Sequence, residues 1–322
     1  MSTVLITRAG STTGMNLLQS LAQKKKYRLI AIDSDSMAPG LYWADESIIV
    51  PKTSAKDYLK TLLDICRHHD VKVLLPGHSD ELHQISKNAL LFKEAGVHFA
   101  VAKSEVLDIL DDKHLMGDFL ASKGFDMPKE YDLSNLSQVE YPVFVKTQHD
   151  TGSKQTAKVW NKEELDSALK TIPKPIIQEF IDGDEFTIDV LSDLSGRVLM
   201  TSPRKRIAVQ NGLCIKGITV QDPVLSALAA ACVETFPIPG VSNVQIMVNN
   251  ISNRTCLIEV NPRFPAGGLP LTIAAGLDIP ELLIKMLLGE LVQVHEPEPD
   301  VIMMRYWDSI CLRKDNLKVK NR

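Results

Sequence analysis

The feature that most constrains this 322-residue chain is a change of hydrophobic rhythm part-way along it. Up to about residue 103, short β-branched runs alternate with helical stretches. Val4 to Thr7, Leu29 to Ile32, Val71 to Leu75 and Val97 to Val101 read as strands, and Met15 to Gln23 and Tyr58 to His68 as helices. Such alternation requires right-handed crossovers, and therefore a parallel sheet covered on both faces. Ser104 then opens one long helical stretch, Glu105 to Lys123, stopped by Gly124 with Pro128 beyond. From about Pro142 the pattern turns to strands joined by turns: Val143 to Gln148, Ala157 to Trp160, Ile176 to Ile181, Glu185 to Leu191 and Val198 to Val209, interrupted by a helix, Lys162 to Lys170. A helix from Pro223 to Phe236, the strand pair Val244 to Val248 and Thr255 to Val260, and two short helices, Leu271 to Gly276 and Pro280 to Leu288, complete the chain. The expected architecture is a small parallel α/β domain followed by a larger antiparallel α+β unit.

Composition narrows the function. A hydrophobic share of 44% is that of a globular chain, and a net charge of -4 with only short basic runs argues against nucleic acid as a partner. No apolar run reaches the roughly 18 residues of a membrane span, so no membrane partner is expected. The five cysteines are odd in number, far apart and without a CxxC pair, which reads as reduced thiols in the cytoplasm and not as a disulfide framework or zinc site. Neither GxSxG nor GxxxxGK[ST] occurs, which argues against a serine hydrolase of that type and a P-loop NTPase.

The most informative motif is the strand pair around Gln245 and Glu259. Alternation puts Glu259 and Asn261 on one face of their strand. If the hairpin folds symmetrically about Ser252, Gln245 lies opposite Glu259, and three oxygen-bearing side chains converge. Such a donor set suits Mg²⁺, which keeps several waters and shares phosphate oxygens as ligands; an amphipathic hairpin with a polar outer face is the plain alternative. A second motif is Lys146, at the end of a strand and followed by the polar loop His149-Asp150-Thr151-Gly152-Ser153-Lys154, with Lys113 in the preceding helix as a further cation. A lysine fixed beside a small-residue loop suits phosphate, though solvated surface lysines look the same in sequence. In Gln178-Glu179-Phe180-Ile181-Asp182-Gly183-Asp184-Glu185 an apolar strand runs into a turn with repeated carboxylates, fit to border a purine and a ribose, or simply a strand with surface acids. Pro203-Arg204-Lys205-Arg206 turns two guanidinium groups to one face, for an anion or for a salt-bridged sheet surface. Gly10, Gly14 and Asp33 outline a dinucleotide site, but their GxxxG spacing lacks the middle glycine of GxGxxG. A tight strand-to-helix turn is the better reading.

Taken in chain order, these pieces resemble the ATP-grasp superfamily, in particular the large subunit of carbamoyl-phosphate synthase and stand-alone carboxylate–amine ligases. The resemblance covers Ala38-Pro39-Gly40-Leu41-Tyr42-Trp43-Ala44-Asp45, Asp112-Lys113, Val145-Lys146, Gln178 to Ile181, Arg204 to Arg206, Asn243-Val244-Gln245 and Glu259-Val260-Asn261-Pro262-Arg263. It implies an N-terminal Rossmann-like, pre-ATP-grasp α/β domain (1–103), a small ATP-grasp subdomain with a glycine loop (104–182) and a large subdomain with the metal site (183–322). By the same resemblance, Lys113, Lys146 and Arg204 contact ATP, Gly152 and Ser153 close over its phosphates, Glu179, Phe180 and Ile181 border adenine, and Glu185 holds the ribose. Gln245, Glu259 and Asn261 hold Mg²⁺, with Mn²⁺ as a substitute, and Arg263 and Arg206 are the catalytic arginines. The implied reaction condenses a carboxylate with an amine through an acyl phosphate, in a protein whose relatives often pair as homodimers. Gln155, where many relatives carry glycine, motivates the alternative of a catalytically weak, nucleotide-binding regulator of the same fold.

Overall fold

The computed structural model describes residues 1–149 and 155–317. Its first unit is a parallel four-stranded sheet, β1 (Thr3–Ile6), β2 (Arg28–Asp33), β3 (Glu46–Ile49) and β4 (Val71–Leu75), in the order β3-β2-β1-β4. Helices α1 (Thr12–Lys24), α2 (Tyr58–His68), α3 (Leu82–Lys87) and α4 (Ala89–Glu94) accompany it. The strand order reverses between β1 and β4, so the turns leaving their C-terminal ends flank the crevice where open α/β sheets receive ligands. Val97 to Val101 does not form the expected fifth strand. Only His98 bridges to Val73, and the chain then leaves the sheet toward the second unit.

The expected helix from Glu105 to Lys123 is two helices, α5 (Ser104–Leu110) and α6 (Lys113–Ser122). The break has a local cause: the Asp112 side chain accepts from the backbone N–H groups of His114 and Leu115, capping α6 where an uninterrupted helix would have run through.

Two antiparallel sheets make up the rest. The smaller contains β5 (Glu130–Tyr131), β6 (Val143–Thr147), β7 (Thr156–Val159) and β8 (Pro175–Glu179), ordered β5-β8-β6-β7, with α7 (Lys162–Thr171) packed on it. The larger contains β9 (Gly183–Ser192), β10 (Val198–Gln210), β11 (Leu213–Thr219), β12 (Val241–Asn249), β13 (Thr255–Asn261) and β14 (Ile302–Met304), ordered β13-β12-β9-β10-β11-β14. Helices α8 (Pro223–Thr235), α9 (Leu269–Ala274) and α10 (Ile279–Leu287) complete it. β3, β5, β11 and β14 were not among the expected strands.

The apolar cores show which parts pack together. Val4, Ile6, Leu17 and Leu18 of the first unit share a continuous core with Leu191, Val241, Phe264 and Leu269 of the larger sheet and its helices. Tyr131, Val143, Val145, Leu165 and Ile177 of the smaller sheet form a core of their own.

Candidate functional site

The β12–β13 hairpin brings Gln245 opposite Glu259 and Asn243 opposite Asn261, but not by symmetry about Ser252. Near the turn Ile246 pairs with Leu257 and Met247 with Cys256, a register centred between Ile251 and Ser252. One extra residue, Ile258, is accommodated between Leu257 and Glu259. This bulge restores the Gln245–Glu259 pairing; without it the register would be one residue out and the side chain at 245 would face its partner's wrong neighbour. Ile258, Glu259, Gln245 and Met247 consequently line a single cavity of about 530 Å³ between the two antiparallel sheets.

That cavity has an apolar wall (Phe144, Phe180, Ile181, Met247, Ile258) and a cationic one. Lys146 is 5% exposed and, among the described residues, its ammonium makes no hydrogen bond or ion pair. Burial pulls its ammonium down to about 8, with Lys113 adding to the effect and Glu259 opposing it. An ammonium buried at this cost beside a cavity calls for an anion there. Lys113, at the N-terminus of α6, lines the same cavity.

The carboxylates of this region are partly committed. Glu185 pairs with Arg206, whose guanidinium also donates to the Gly212 carbonyl at 2.7 Å. Burial raises the Glu185 carboxyl above its ordinary value against the pull of Arg206. Glu179 accepts from the backbone N–H of Lys129 at 2.9 Å and from Arg254 at 2.7 Å, so its side chain fastens the smaller sheet to the larger one, and the residue also lines the cavity. Gln155 also lines it, whereas Gly152 and Ser153 lie outside the described residues.

Arg204 does not reach this cavity. It is 3% exposed, hydrogen-bonded to Asp189 at 3.0 and 3.3 Å, and lies so close to Gly268 that a Cβ there would fall 1.9 Å from its guanidinium carbon. It faces instead a second cavity of about 400 Å³ between the first unit and the larger sheet, together with Arg206, Asn243, Asn261 and Arg263. Arg263 donates to the Asn261 side chain at 3.0 Å; burial lowers its pKa, with Glu259 and Asp111 opposing. Arg8 and Ser11 to Thr13, from the β1–α1 turn, close the other side. Sequence reasoning missed Arg8 and treated this turn as structural only. The available signal was a charged residue at the C-terminal end of a parallel strand beside the point where strand order reverses. The turn is indeed tight: a Cβ at Gly14 would stand 2.3 Å from the Arg8 carbonyl oxygen. Asp33 accepts from the Gly10 N–H at 2.7 Å and from Asp35 at 3.0 Å, so the acid that a dinucleotide fold offers to ribose is spent on the turn itself.

A third cavity, of about 380 Å³, lies against the opposite flank of the Glu259–Arg263 segment and is bordered by His78, Asp80, His83, Asp111 and His149. Among the described residues, Glu259 alone lines all three cavities. No group of three His, Cys, Asp or Glu side chains with metal-binding arrangement occurs among the described residues. A divalent ion at Glu259 would find one carboxylate and, from the neighbouring pairs, the amide oxygens of Gln245 and Asn261 as candidate protein ligands, a set whose chemistry fits Mg²⁺ when phosphate oxygens supply the remaining charge.

A parallel-sheet unit ahead of two antiparallel sheets, with a lysine-walled cleft between those sheets, is the ATP-grasp arrangement. Residues 171–309 match the family described as ATP-grasp in the biosynthetic pathway with Ter operon, and residues 4–100 match the PylC-like N-terminal domain. The chain thus carries an ATP-grasp domain behind a PylC-like first domain. Among curated proteins, it is 23% identical over 294 residues to the carbamoyl phosphate synthase large chain of Campylobacter jejuni, covering 82% of this chain and 26% of that protein. It is 33% identical over 115 residues to the D-alanine–D-alanine ligase of Fusobacterium nucleatum, 31% of this chain and 39% of that one. The chain spans 20–26% of the length of the synthase large chains it matches. Among solved structures, the biotin carboxylase domain of Hydrogenobacter thermophilus 2-oxoglutarate carboxylase, in complex with MgADP and bicarbonate, superposes with a TM-score of 0.74 at 17% identity, over 94% of this chain and 73% of that one.

Proposed function

We propose that the protein is an ATP-dependent ligase that activates a carboxylate as an acyl phosphate and condenses it with an amine, releasing ADP and phosphate. One observation carries this reading: three adjoining cavities meet at a single residue, Glu259, among the described residues. A ligase of this kind must bring a nucleotide, an acid and an amine to one point, and a plain nucleotide-binding module needs only one cavity. The relatives named above, two of them ligating or synthetic enzymes by name, support the same class.

In this reading ATP occupies the cleft between the antiparallel sheets. Its adenine lies along Phe180, Ile181, Met247 and Ile258, its ribose near Glu185, and its phosphates against Lys146 and Lys113. Gln245, Glu259 and Asn261 would hold Mg²⁺, which neutralises charge on the transferring phosphoryl oxygens. The acid sits in the second cavity with its carboxylate beside Arg263, the γ-phosphoryl group passes to that carboxylate, and the amine attacks the acyl phosphate from the third cavity. Arg206, which lines both the first and the second cavity, is placed to follow the phosphoryl group between them.

The test is release of ADP and phosphate by the full chain that depends on both an acid and an amine, with the condensation product read by mass spectrometry. Glu259→Gln should lower turnover about a thousandfold or more while leaving the fold intact. A broad acid-by-amine screen with no ADP release would overturn the proposal. Gln155 in the wall of the nucleotide cavity favours a second reading, a nucleotide-responsive regulator. Tight ATP binding without phosphate release, unchanged in Glu259→Gln, would select it.

A further inference from the structure

The second cavity has an unusual charge balance. Among the described residues, four arginines line it, Arg8, Arg204, Arg206 and Arg263, and one acidic residue, Glu259. The counter-charges of three of these arginines lie outside its wall. Asp189 behind Arg204 is fully buried in the sheet, Glu185 opens on the nucleotide cavity, and Asp80, 3.4 Å from Arg8, borders the third cavity. Arg263 forms no ion pair among the described residues. The buried Nε atoms of Arg8 and Arg206 have no hydrogen-bond partner. Paired charges with the carboxylates behind and the guanidinium groups in front leave a positive field inside, in a space screened by protein on most sides.

Phosphorylating one carboxylate accounts for the arginines at one wall only. Glu259, Gln245 and Arg206 line both this cavity and the nucleotide cavity, and Arg263 stands beside them. Arg8 comes from the other wall, on the β1–α1 turn of the first unit, where no phosphoryl group needs to travel. Its backbone lies in the left-handed region at φ 51°, and the residue is closely approached by Gly14 of α1 and by Gly77 beyond β4. We propose, building on the ligase reading, that the acid taken here is a compact dianion: one carboxylate beside Arg263 and Glu259 is phosphorylated, and a second anionic group, carboxylate or phosphate, is held by Arg8. A volume near 400 Å³ is at the small end for ligand sites, which suits a short-chain acid and not a peptide or nucleotide tail. Guanidinium binds either anion through paired N–H donors, so the protein selects for the second charge and against a neutral tail of the same shape.

The experiment uses the full chain with Mg²⁺ and a non-hydrolysable ATP analogue, and measures by calorimetry the binding of a length series of probes. The series comprises dicarboxylates from succinate to pimelate, the half-amides of the same acids, and ω-phosphonocarboxylates of matching length. The best dianion should bind at least about tenfold more tightly than its half-amide, and whether it is the dicarboxylate or the phosphonate identifies the second group. Arg8→Asn, chosen because asparagine tolerates a positive φ, should erase that discrimination, and Arg8→Lys should restore part of it. Equal affinity for dianion and half-amide overturns the proposal, as does discrimination that survives Arg8→Asn. If the nucleotide analogue binds and no dianion does, this inference alone fails. If the analogue itself does not bind, the ligase reading falls and takes the inference with it.

Discussion

The cavity proposed for the nucleotide and the cavity proposed for the acid share Glu259, Gln245 and Arg206 but are walled in opposite ways. The acid cavity lies between two units that have one apolar core: Leu17 and Leu18 of α1 pack in the same cluster as Phe264, Leu269 and Leu283. Asn16 adds a hydrogen bond to the Ala266 carbonyl at 2.8 Å, and Lys24 and Lys26 meet Glu281 of α10 at 2.7 and 2.6 Å. The nucleotide cavity lies between sheets whose cores are separate. What joins them is polar: Arg254 to Asp126 and Glu179, Gln148 to Asp112, and the backbone of Asn250 to Asp182. Apolar fusion makes a preformed pocket, since opening it would expose the core; polar ties across a boundary open at little cost. On the proposed function, the acid site would be the rigid one and the nucleotide site the one that opens. For a reaction through a hydrolysable acyl phosphate such a division would be useful: the acid would be positioned once, and water excluded as the cleft between the two sheets closes.

The sharpest way to break the rigid half is at Asp189. Asp189→Asn leaves the Arg204 guanidinium buried without its counter-charge and should cost about 3–5 kcal/mol of stability. Chemical denaturation should report that loss, and acid binding should fail with it. Gly268→Ala should disturb the same pair from the other side, because a Cβ has no room beside Arg204. If either variant weakened nucleotide binding and spared the acid, the assignment of Arg204 to the acid cavity would be wrong.

The polar rim of the same junction can be broken by acid. Burial alone would raise the Glu281 carboxyl, but hydrogen bonds from Lys24 and Lys26 outweigh it and hold the pKa down at about 2. A depressed folded-state pKa contributes stability above the unfolded value and loses it as pH falls. The first unit's hold on α10 should therefore be complete above pH about 5 and decline toward pH 2. The loss is on the order of 2–3 kcal/mol, since the carboxylate is mostly buried while Lys26 is half-exposed. Glu281→Gln should remove this pH dependence in urea titrations.

The opening half answers to alkali instead. In the free protein Lys146 has a pKa of about 8, and triphosphate beside it would raise that value. Nucleotide then binds the protonated lysine preferentially, so affinity is flat below pH 7 and falls about tenfold between pH 7 and 9. Lys146→Arg should flatten this profile, because guanidinium does not titrate there. A wild-type profile that stays level to pH 9 would separate Lys146 from the phosphates.

The contrast between the halves was only partly legible in the sequence. The change of rhythm near Pro142 announces the two kinds of sheet, because strand and helix periods are local properties. The chemistry on β12 and β13 was readable because period-two alternation places Glu259 with Asn261. The pairing with Gln245 came out as expected for a reason the sequence did not display, a bulge at Ile258 that compensates a turn centred half a residue away. Capping by Asp112 was hidden inside a helical pattern, and Asp112-Lys113 was read only as chemistry. What could not be read was which units share a core. Leu17 and Leu269 look like any buried leucine until the fold sets them together. Arg8, Arg254 and the partition of Arg204 from Arg206 depend on the same long-range packing.

The subtlest expectation concerns Arg254, which lies in a turn-like stretch and bridges three carboxylate and carbonyl groups across the sheet boundary: Asp126, Glu179 and the Met127 carbonyl. Its side chain is 37% exposed, so the ion pairs are partly screened and Arg254→Ala should cost little overall stability. Its effect should fall on the equilibrium between open and closed nucleotide clefts, since among the described residues it bonds to Glu179, which borders the cavity between the two sheets, and to no residue of the second cavity. A destabilised closed state lowers apparent nucleotide affinity by the fraction of molecules still closed. Loss of exposed pairs worth under about 1 kcal/mol corresponds to roughly a threefold rise in KM for ATP, with the thermal midpoint and the affinity for the acid unchanged. Amide exchange should show the smaller sheet opening more often while the core around Leu18 and Leu269 keeps its protection. Were the acid affinity to fall in step with that for ATP, the two walls would be coupled through the fold, and the division between a fixed acid pocket and a hinged nucleotide cleft would have to be given up.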